Sequence, residues 1–473
     1  MERQSARYRF GLRERGGALA GWRAGQILTV ALGLLVGVVV LRSQPDVTGV
    51  AVAFLILLTC VALATWPVSG RTGDQWIPVV VRWSARRVGG RGAGRGAERS
   101  PWRGSPRTDA LCGLRLLSVG PRDLGVVHDV RGRTLTAVLS LRGRSFALLG
   151  PDEQDRRVAG WSVVLAALAR EGSPVRRVQW LAASFPDEGH GVRSHLQAHR
   201  VADPASACAV SYESLLGDLD ADASTHDVAL ALQVRMGKSL EGGCQALQRE
   251  INQVVRQLGE ADVDVQAVLT ADGVADLLLR TYEPRGPVSA SASPDPSHAD
   301  PSHADPWPMA LSEEWSILRV DGMVHATFWV AEWPRTEVHS DFLAPLLLSP
   351  ARATLSMVME PLGPEKAMRK VEASRTADLA DAELRRRSGF VSTARHARES
   401  EVLARREAEL ADGHASFRYA GFVTVSAPSE SELVVACDAV QHAAGQCRLL
   451  LRRLYGDQAT GYTCTLPLAR GLT

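Results

Sequence analysis

Residues Trp22 to Trp66 contain two apolar segments, Gly25 to Leu41 and Val47 to Trp66, joined by the polar turn Arg42-Ser43-Gln44-Pro45-Asp46. A helix crossing a hydrocarbon core of ~30 Å needs about 20 apolar residues, with about 17 as the lower limit. The second segment meets that length and the first just reaches it, with Gln26 placed to reach the headgroups. Pro45 cannot continue a helix and biases the residue before it out of the α region, so the chain reverses there. The pattern predicts a transmembrane hairpin. A basic front end before an apolar run also suits a signal peptide. No small-x-small cleavage site separates the two apolar segments, however, so the hairpin is expected to be retained.

The charge distribution orients this hairpin. Residues 1–103 hold 15 Arg, no Lys and five acidic residues, a balance of +10, whereas the whole chain carries only +2. Arg3, Arg7, Arg9, Arg13 and Arg15 precede the hairpin, and Arg71, Arg82, Arg86, Arg87, Arg91, Arg95, Arg99 and Arg103 follow it. The bias of basic residues toward the cytoplasm places both termini inside and leaves only the small turn outside. Trp22 and Trp66 then lie at one interface, the position indole rings prefer, with Arg71, Arg82, Arg86 and Arg87 facing anionic headgroups. The run Trp76 to Trp83 fits either a segment lying along that surface or a first core strand. Gly89 to Pro106 is Arg/Gly-rich; beside a membrane helix such a tract is expected to meet lipid headgroups rather than nucleic acid.

Beyond Leu111 the pattern is that of a folded α+β region. Asp123 to Asp129 and Thr134 to Leu141 alternate about Arg131-Gly132-Arg133 and predict a hairpin. A helix over Asp152 to Arg170 follows, with a strand over Val175 to Ala183 and helices near Val192 to His199 and Ser211 to Leu219. Val228 to Val234 reads as a strand, Leu240 to Leu258 as a helix and Val274 to Tyr282 as a shorter helix. Ser289 to Pro308 interrupts this with the repeated pentad Ser297-His298-Ala299-Asp300-Pro301 and Ser302-His303-Ala304-Asp305-Pro306, which reads as a spacer. The second half restarts with a hairpin, Trp315 to Val320 and Met323 to Trp333, about Asp321-Gly322. Then come a short helix over Asp341 to Leu348 and a strand over Thr354 to Glu360. A charged pair of helices over Glu365 to Glu409 breaks near Gly389-Phe390. Phe417 to Ser426 is a strand, Ser429 to Gly445 a helix and Arg448 to Leu454 a last strand. The expected organisation is a basic tail (1–24), the hairpin (25–66) and a juxtamembrane linker (67–106). A first α/β unit (107–286), the repeat linker (287–308) and a second α+β unit (309–473) complete it. Both units are expected to be packed helices on hairpin sheets.

The motifs that would carry chemistry are incomplete. Met236-Gly237-Lys238-Ser239 ends like a P-loop, but the phosphate cradle needs a glycine where Leu232 stands. His190, His195 and His199 cluster, yet His195-Leu196-Gln197-Ala198-His199 lacks the Glu of a metalloprotease helix. A membrane-anchored metal enzyme built on these histidines is the alternative they leave open. The seven cysteines form no C-x-x-C pair, which argues against a disulfide framework and a zinc ribbon and suits a reducing cytoplasm. No cofactor or metal is therefore expected. Arg395, Arg398, Arg405 and Arg406, interspersed with glutamates, suggest a protein-docking surface, Glu401, Arg405 and Glu409 following at i,i+4 spacing.

Several runs carry a family resemblance. Ala331-Glu332-Trp333-Pro334-Arg335, Asp341-Phe342-Leu343-Ala344-Pro345-Leu346-Leu347-Leu348 and Val358-Met359-Glu360-Pro361 resemble actinobacterial two-helix integral membrane proteins of conjugative, type IV secretion-like loci. Gly389-Phe390-Val391-Ser392-Thr393-Ala394-Arg395, Glu407-Ala408-Glu409-Leu410, Tyr419-Ala420-Gly421-Phe422-Val423-Thr424-Val425 and Thr463-Cys464-Thr465-Leu466-Pro467-Leu468 fit the same family. The order of elements from Ala394 to Ala444 is also similar to the amino-terminal domain of VirB-type secretion ATPases, and the chain ends at Thr473, where an ATPase module would begin. The resemblance implies a non-enzymatic inner-membrane subunit, working as an oligomer within a complex, that scaffolds the apparatus and docks a separate ATPase and other membrane subunits. A subunit of a type VII, ESX-like membrane complex would share the same outline.

Overall fold

The computed structural model describes Phe10, residues 24–66, 72–88, 110–142 and 149–186, Leu196, His199, and residues 206–220, 224–282, 306–387 and 394–472. Two antiparallel helices open it, α1 (Ala24–Ser43) and α2 (Val47–Thr65), each long and apolar enough to cross a membrane. Gln26 donates from Nε2 to the Ala64 carbonyl at 2.7 Å, so the open ends of the hairpin lie level. Gly33 faces Cys60 closely enough that an added Cβ would lie 2.8 Å from its Cβ and Sγ. Most of the large apolar side chains on both helices, among them Leu28, Leu32, Leu35, Phe54, Leu55 and Leu58, are exposed. In water such a surface would cost about 25 cal/mol for every Å².

A third helix, α3 (Gly73–Val88), stands where the sequence allowed a surface segment or a strand. The helix brings Trp76, Val79 and Trp83 to one face, whereas a strand would put Trp76 on the side opposite Val79 and Trp83.

Twelve strands then form one antiparallel sheet. The first half contributes β1 (Leu114–Val119), β2 (Leu124–Asp129), β3 (Thr134–Arg142), α4 (Pro151–Leu168), β4 (Val175–Pro186), α5 (Ala207–Asp220) and β5 (Ser224–Arg235). It ends with α6 (Leu240–Glu260), β6 (Asp264–Val268) and α7 (Ala271–Tyr282). The second contributes β7 (Leu311–Glu313), β8 (Leu318–Val320), β9 (Met323–Glu332), α8 (Ala344–Leu347), β10 (Ala353–Leu362), α9 (Pro364–Arg387) and α10 (Ala394–Ala411). It ends with β11 (Ser416–Ala427), α11 (Glu430–Gln446), β12 (Leu450–Arg453) and α12 (Gln458–Thr463). The sheet order is β1-β2-β3-β5-β4-β10-β11-β9-β8-β7, with β6 also on β3 and β12 also on β9.

That order reads the same from either end. β3-β5-β4 mirrors β9-β11-β10, each half adds a hairpin partner and a short last strand on one edge, and the halves meet where β4 pairs with β10. Ser239 and Ser429 cap the equivalent helices α6 and α11 in the same way, each hydroxyl accepting a backbone N–H three residues on. The fold is thus a duplicated unit about a pseudo-twofold axis between β4 and β10. The expected linker 287–308 lies largely outside the described residues, but on its two sides the halves share one sheet. Trp307, placed in that linker by composition, is 5% exposed and packs in the core, because an indole buries more apolar area than a spacer can leave in water.

On one face α6 sets a stripe of Leu247, Ile251, Val254 and Leu258 against Leu135, Leu139, Leu230 and Leu232, with α4 alongside. Under α11, Leu433 and Val440 meet Phe328, Leu355, Val423 and Val425. On the reverse face α7, α12 and the C-terminal run cover Val127, Val138, Leu181 and Leu318. Four elements were not foreseen: β1, β6, β7 and α12. They are short, and neighbours rather than propensity hold them, as Gln458 does for α12.

Candidate functional site

The functional geometry lies where the hairpin meets the sheet. Gly73 begins α3 directly against α2: an added Cβ would come 2.7 Å from the Leu63 carbonyl oxygen, so a side chain there would push the helices apart. One face of α3 carries Trp76, Val79 and Trp83 at i, i+3 and i+7. The Trp76 ring stacks on Trp315 at 5.8 Å, and Trp83 meets the same indole edge-on at 5.2 Å. Tyr455 completes the group, 5.9 Å from Trp76 and 6.2 Å from Trp315. Val79 is buried and lies against Gly456, whose positive φ of 70° and crowding by Trp315 both require glycine. Gly456 donates its N–H to the Trp315 carbonyl at 2.7 Å. Aromatic pairs of this kind contribute about 0.5–1.5 kcal/mol each beyond their buried area, so the junction is a firm attachment rather than a tether.

A second aromatic contact joins the N-terminal tail to the same sheet. Phe10 stacks on Trp333 at 5.0 Å and meets Phe342 edge-on at 5.3 Å, with Tyr419 6.5 Å away. Gly421 beneath is packed by Trp333 and Val330 so closely that a Cβ would lie 2.7–2.8 Å from them. Residues before and after the hairpin therefore contact one body.

Beside Tyr455 an open groove of about 450 Å³ runs between α11 and the edge strand β12, lined by Phe328, Val434, Cys437, Asp438, Gln441 and Leu450 to Arg453 among others. Arg453 lies over the Phe328 ring at 5.1 Å and donates to Cys437 Sγ at 3.0 Å.

The residues singled out from the sequence scatter. Trp66 is exposed at the end of α2. Arg82 and Arg87 lie on α3, Arg82 donating Nε to the Pro78 carbonyl at 3.1 Å and Arg87 stacking 4.9 Å over Trp83. Arg86 is on the same helix, while Trp22 and Arg71 lie outside the described residues. Arg405 pairs with Glu409 at 3.0 Å on α10, and Arg406 donates to Ser416 Oγ at 3.2 Å. Arg395 and Arg398 occupy the first turns of α10. An ion pair of 2.5 Å between Arg375 and Glu407 ties α9 to α10.

Of the histidine cluster, His199 is exposed, and His190 and His195 lie outside the described residues. Among the described residues no group of three His, Cys, Asp or Glu side chains is placed to hold a metal. The P-loop-like run is a strand-to-helix turn: Ser239 Oγ accepts the Gly242 N–H at 3.1 Å as the cap of α6, and Arg133 binds the Gly237 carbonyl. Burial pushes the Cys464 thiol up to about 12, which leaves it an inert core residue.

Trp315, Tyr455, Trp333 and Tyr419 were missed as a set. Aromatics make up only 5% of the chain, so each was visible, but their convergence depends on the strand order. No protein-family model matches the chain, and no curated protein matches it.

Proposed function

We propose that the chain is a non-enzymatic inner-membrane subunit, both termini cytoplasmic, that scaffolds a conjugative or type IV secretion-like apparatus and docks a separate secretion ATPase. The observation that carries the scaffold reading is the aromatic junction of Trp76, Trp83, Trp315 and Tyr455, which fastens a twelve-stranded sheet to an apolar helical hairpin. The contact of Phe10 with Trp333 supports placing the tail and the sheet on one side of the membrane, because a hairpin returns the chain to the side it left. The strongly basic balance of residues 1–103 supports making that side cytoplasmic. The choice of apparatus rests on the sequence resemblance alone.

The test is purification of the full chain in mild detergent from a cell that carries such a locus, with every co-purifying chain identified. Recovery of an ATPase bearing a phosphate-binding loop supports the reading. Recovery of the chain without any such ATPase argues against the docking role.

A further inference from the structure

Helix α3 has a second face that the sheet does not use. At about 100° per residue, Ile77 and Val81 fall on a side of the helix apart from Trp76, Val79 and Trp83, with Val80 between the two groups. All three are exposed, Ile77 at 52% and Val81 at 60%, whereas Val79 is 4% exposed. The start of this helix is held against the end of α2 at Leu63, level with the open end of the hairpin where Gln26 meets Ala64. Arg87 stays on the sheet side, stacked over Trp83. An exposed apolar strip on a helix fixed at the mouth of an apolar hairpin is the chemistry of a helix lying at the boundary between headgroups and acyl chains.

We infer that α3 lies in the plane of a lipid surface, with Ile77, Val80 and Val81 at the acyl boundary, while its Trp76, Val79 and Trp83 side grips the sheet. This rests on the membrane reading of α1 and α2. The lipid surface, rather than a second protein, is the occupant, because the strip continues the exposed apolar belt of the hairpin directly. The consequence is that α3 sets the orientation of the sheet: its β8 and β12 side, next to Trp315 and Tyr455, faces the bilayer. The α9–α10 pair projects from the connection between β10 and β11, deeper in the sheet.

The test places a polarity-sensitive thiol probe on the full chain, carrying Cys208→Ser, at one of three positions: Val81→Cys on α3, Leu58→Cys on α2, or Val163→Cys on the exposed side of α4. Each variant goes into nanodiscs of phosphatidylcholine containing brominated acyl chains. The expected result is quenching at positions 58 and 81 but not 163. Quenching at 58 with none at 81 would overturn the inference and leave the hairpin in place. No quenching at 58 would overturn the membrane reading and this inference together.

Discussion

Gln179 Nε2 lies 2.8 Å from Ser356 Oγ across the strand pair that joins the two halves of the sheet, and both side chains are fully buried. The same nitrogen is 2.9 Å from the carbonyls of Cys464 and of Leu466, while Gln179 Oε1 accepts the Ala469 N–H at 2.6 Å. Ser356 Oγ donates to the Cys464 carbonyl at 2.7 Å. One amide at the pseudo-twofold axis thus holds the C-terminal run, and Gln233 extends the seam by donating to the Leu468 carbonyl at 3.0 Å.

Gln179→Ala removes the partner of a buried N–H and of buried carbonyls. Each buried group left unpaired costs about 1–3 kcal/mol, so the variant is expected to lose roughly 3 kcal/mol. Thermal unfolding of the full chain in detergent should register the loss. Limited proteolysis should cut near Leu466 to Leu472 well before the rest of the sheet. An unchanged Tm would mean that the apolar contacts of Leu466 and Leu468 hold the tail alone.

How much of this was legible follows from what each signal measures. The hairpin and the long elements were readable because their periodicity is local: Leu247, Ile251, Val254 and Leu258 mark α6 with no knowledge of the partner sheet. The duplication was not readable. It resides in strand order, and the equivalent strands share pattern without sharing residues, Leu230-Ala231-Leu232 in β5 standing for Val423-Thr424-Val425 in β11 as centre of its half. The junction was half readable. The run Trp76 to Trp83 fits a surface segment or a core strand by its sequence, but both indole rings turn to Trp315, a residue more than 200 positions away in sequence.

Gln458 fills a gap that β8 and β12 leave on the edge of β9. Its Oε1 accepts the Thr327 N–H at 2.8 Å and its Nε2 donates to the Leu454 carbonyl at 2.8 Å, so a side-chain amide stands in for a missing strand neighbour. Gln458→Leu keeps the volume but orphans the Thr327 N–H. A loss of about 1–3 kcal/mol is expected, with faster hydrogen exchange at Thr327 than at its neighbours on β9. Uniform exchange along β9 would contradict this role.

Phe10→Ala should release the tail without unfolding the sheet. The stack on Trp333 and the edge contact with Phe342 are each worth about 0.5–1.5 kcal/mol beyond area, too little to threaten the fold yet enough to dock a short tail. Proteolysis between Met1 and Gly21 is expected to accelerate several-fold, with Tm changed by little. Equal cleavage rates in the two proteins would show that Phe10 does not anchor the tail.

His325 links stability to pH. The ring is fully buried on β9, with Nδ1 2.8 Å from Ser426 Oγ and the Tyr462 ring at 4.8 Å. Burial first, and the nearby Arg352 guanidinium second, lower its pKa from the ordinary 6.5 to about 3, so the folded protein holds a neutral imidazole. The unfolded chain binds a proton at its ordinary pKa, and therefore binds more protons than the native state between the two values. Stability contributed by this residue is complete above about pH 6.5 and falls as pH drops toward 3, by about 1.4 kcal/mol per unit at most. The unfolding temperature of the full chain in detergent should drop more between pH 7.5 and pH 5.5 than that of His325→Asn, which cannot take up the proton. Parallel pH profiles for the two proteins would assign the acid sensitivity in this window to other groups, and Asp129 is not one of them. Burial raises the pKa of that carboxyl, but the Gly132 N–H and the Arg470 guanidinium outweigh it and hold the pKa below its usual value. Stability from Asp129 is present above about pH 4 and lost only as pH falls further, so the window from pH 7.5 to 5.5 separates the two residues.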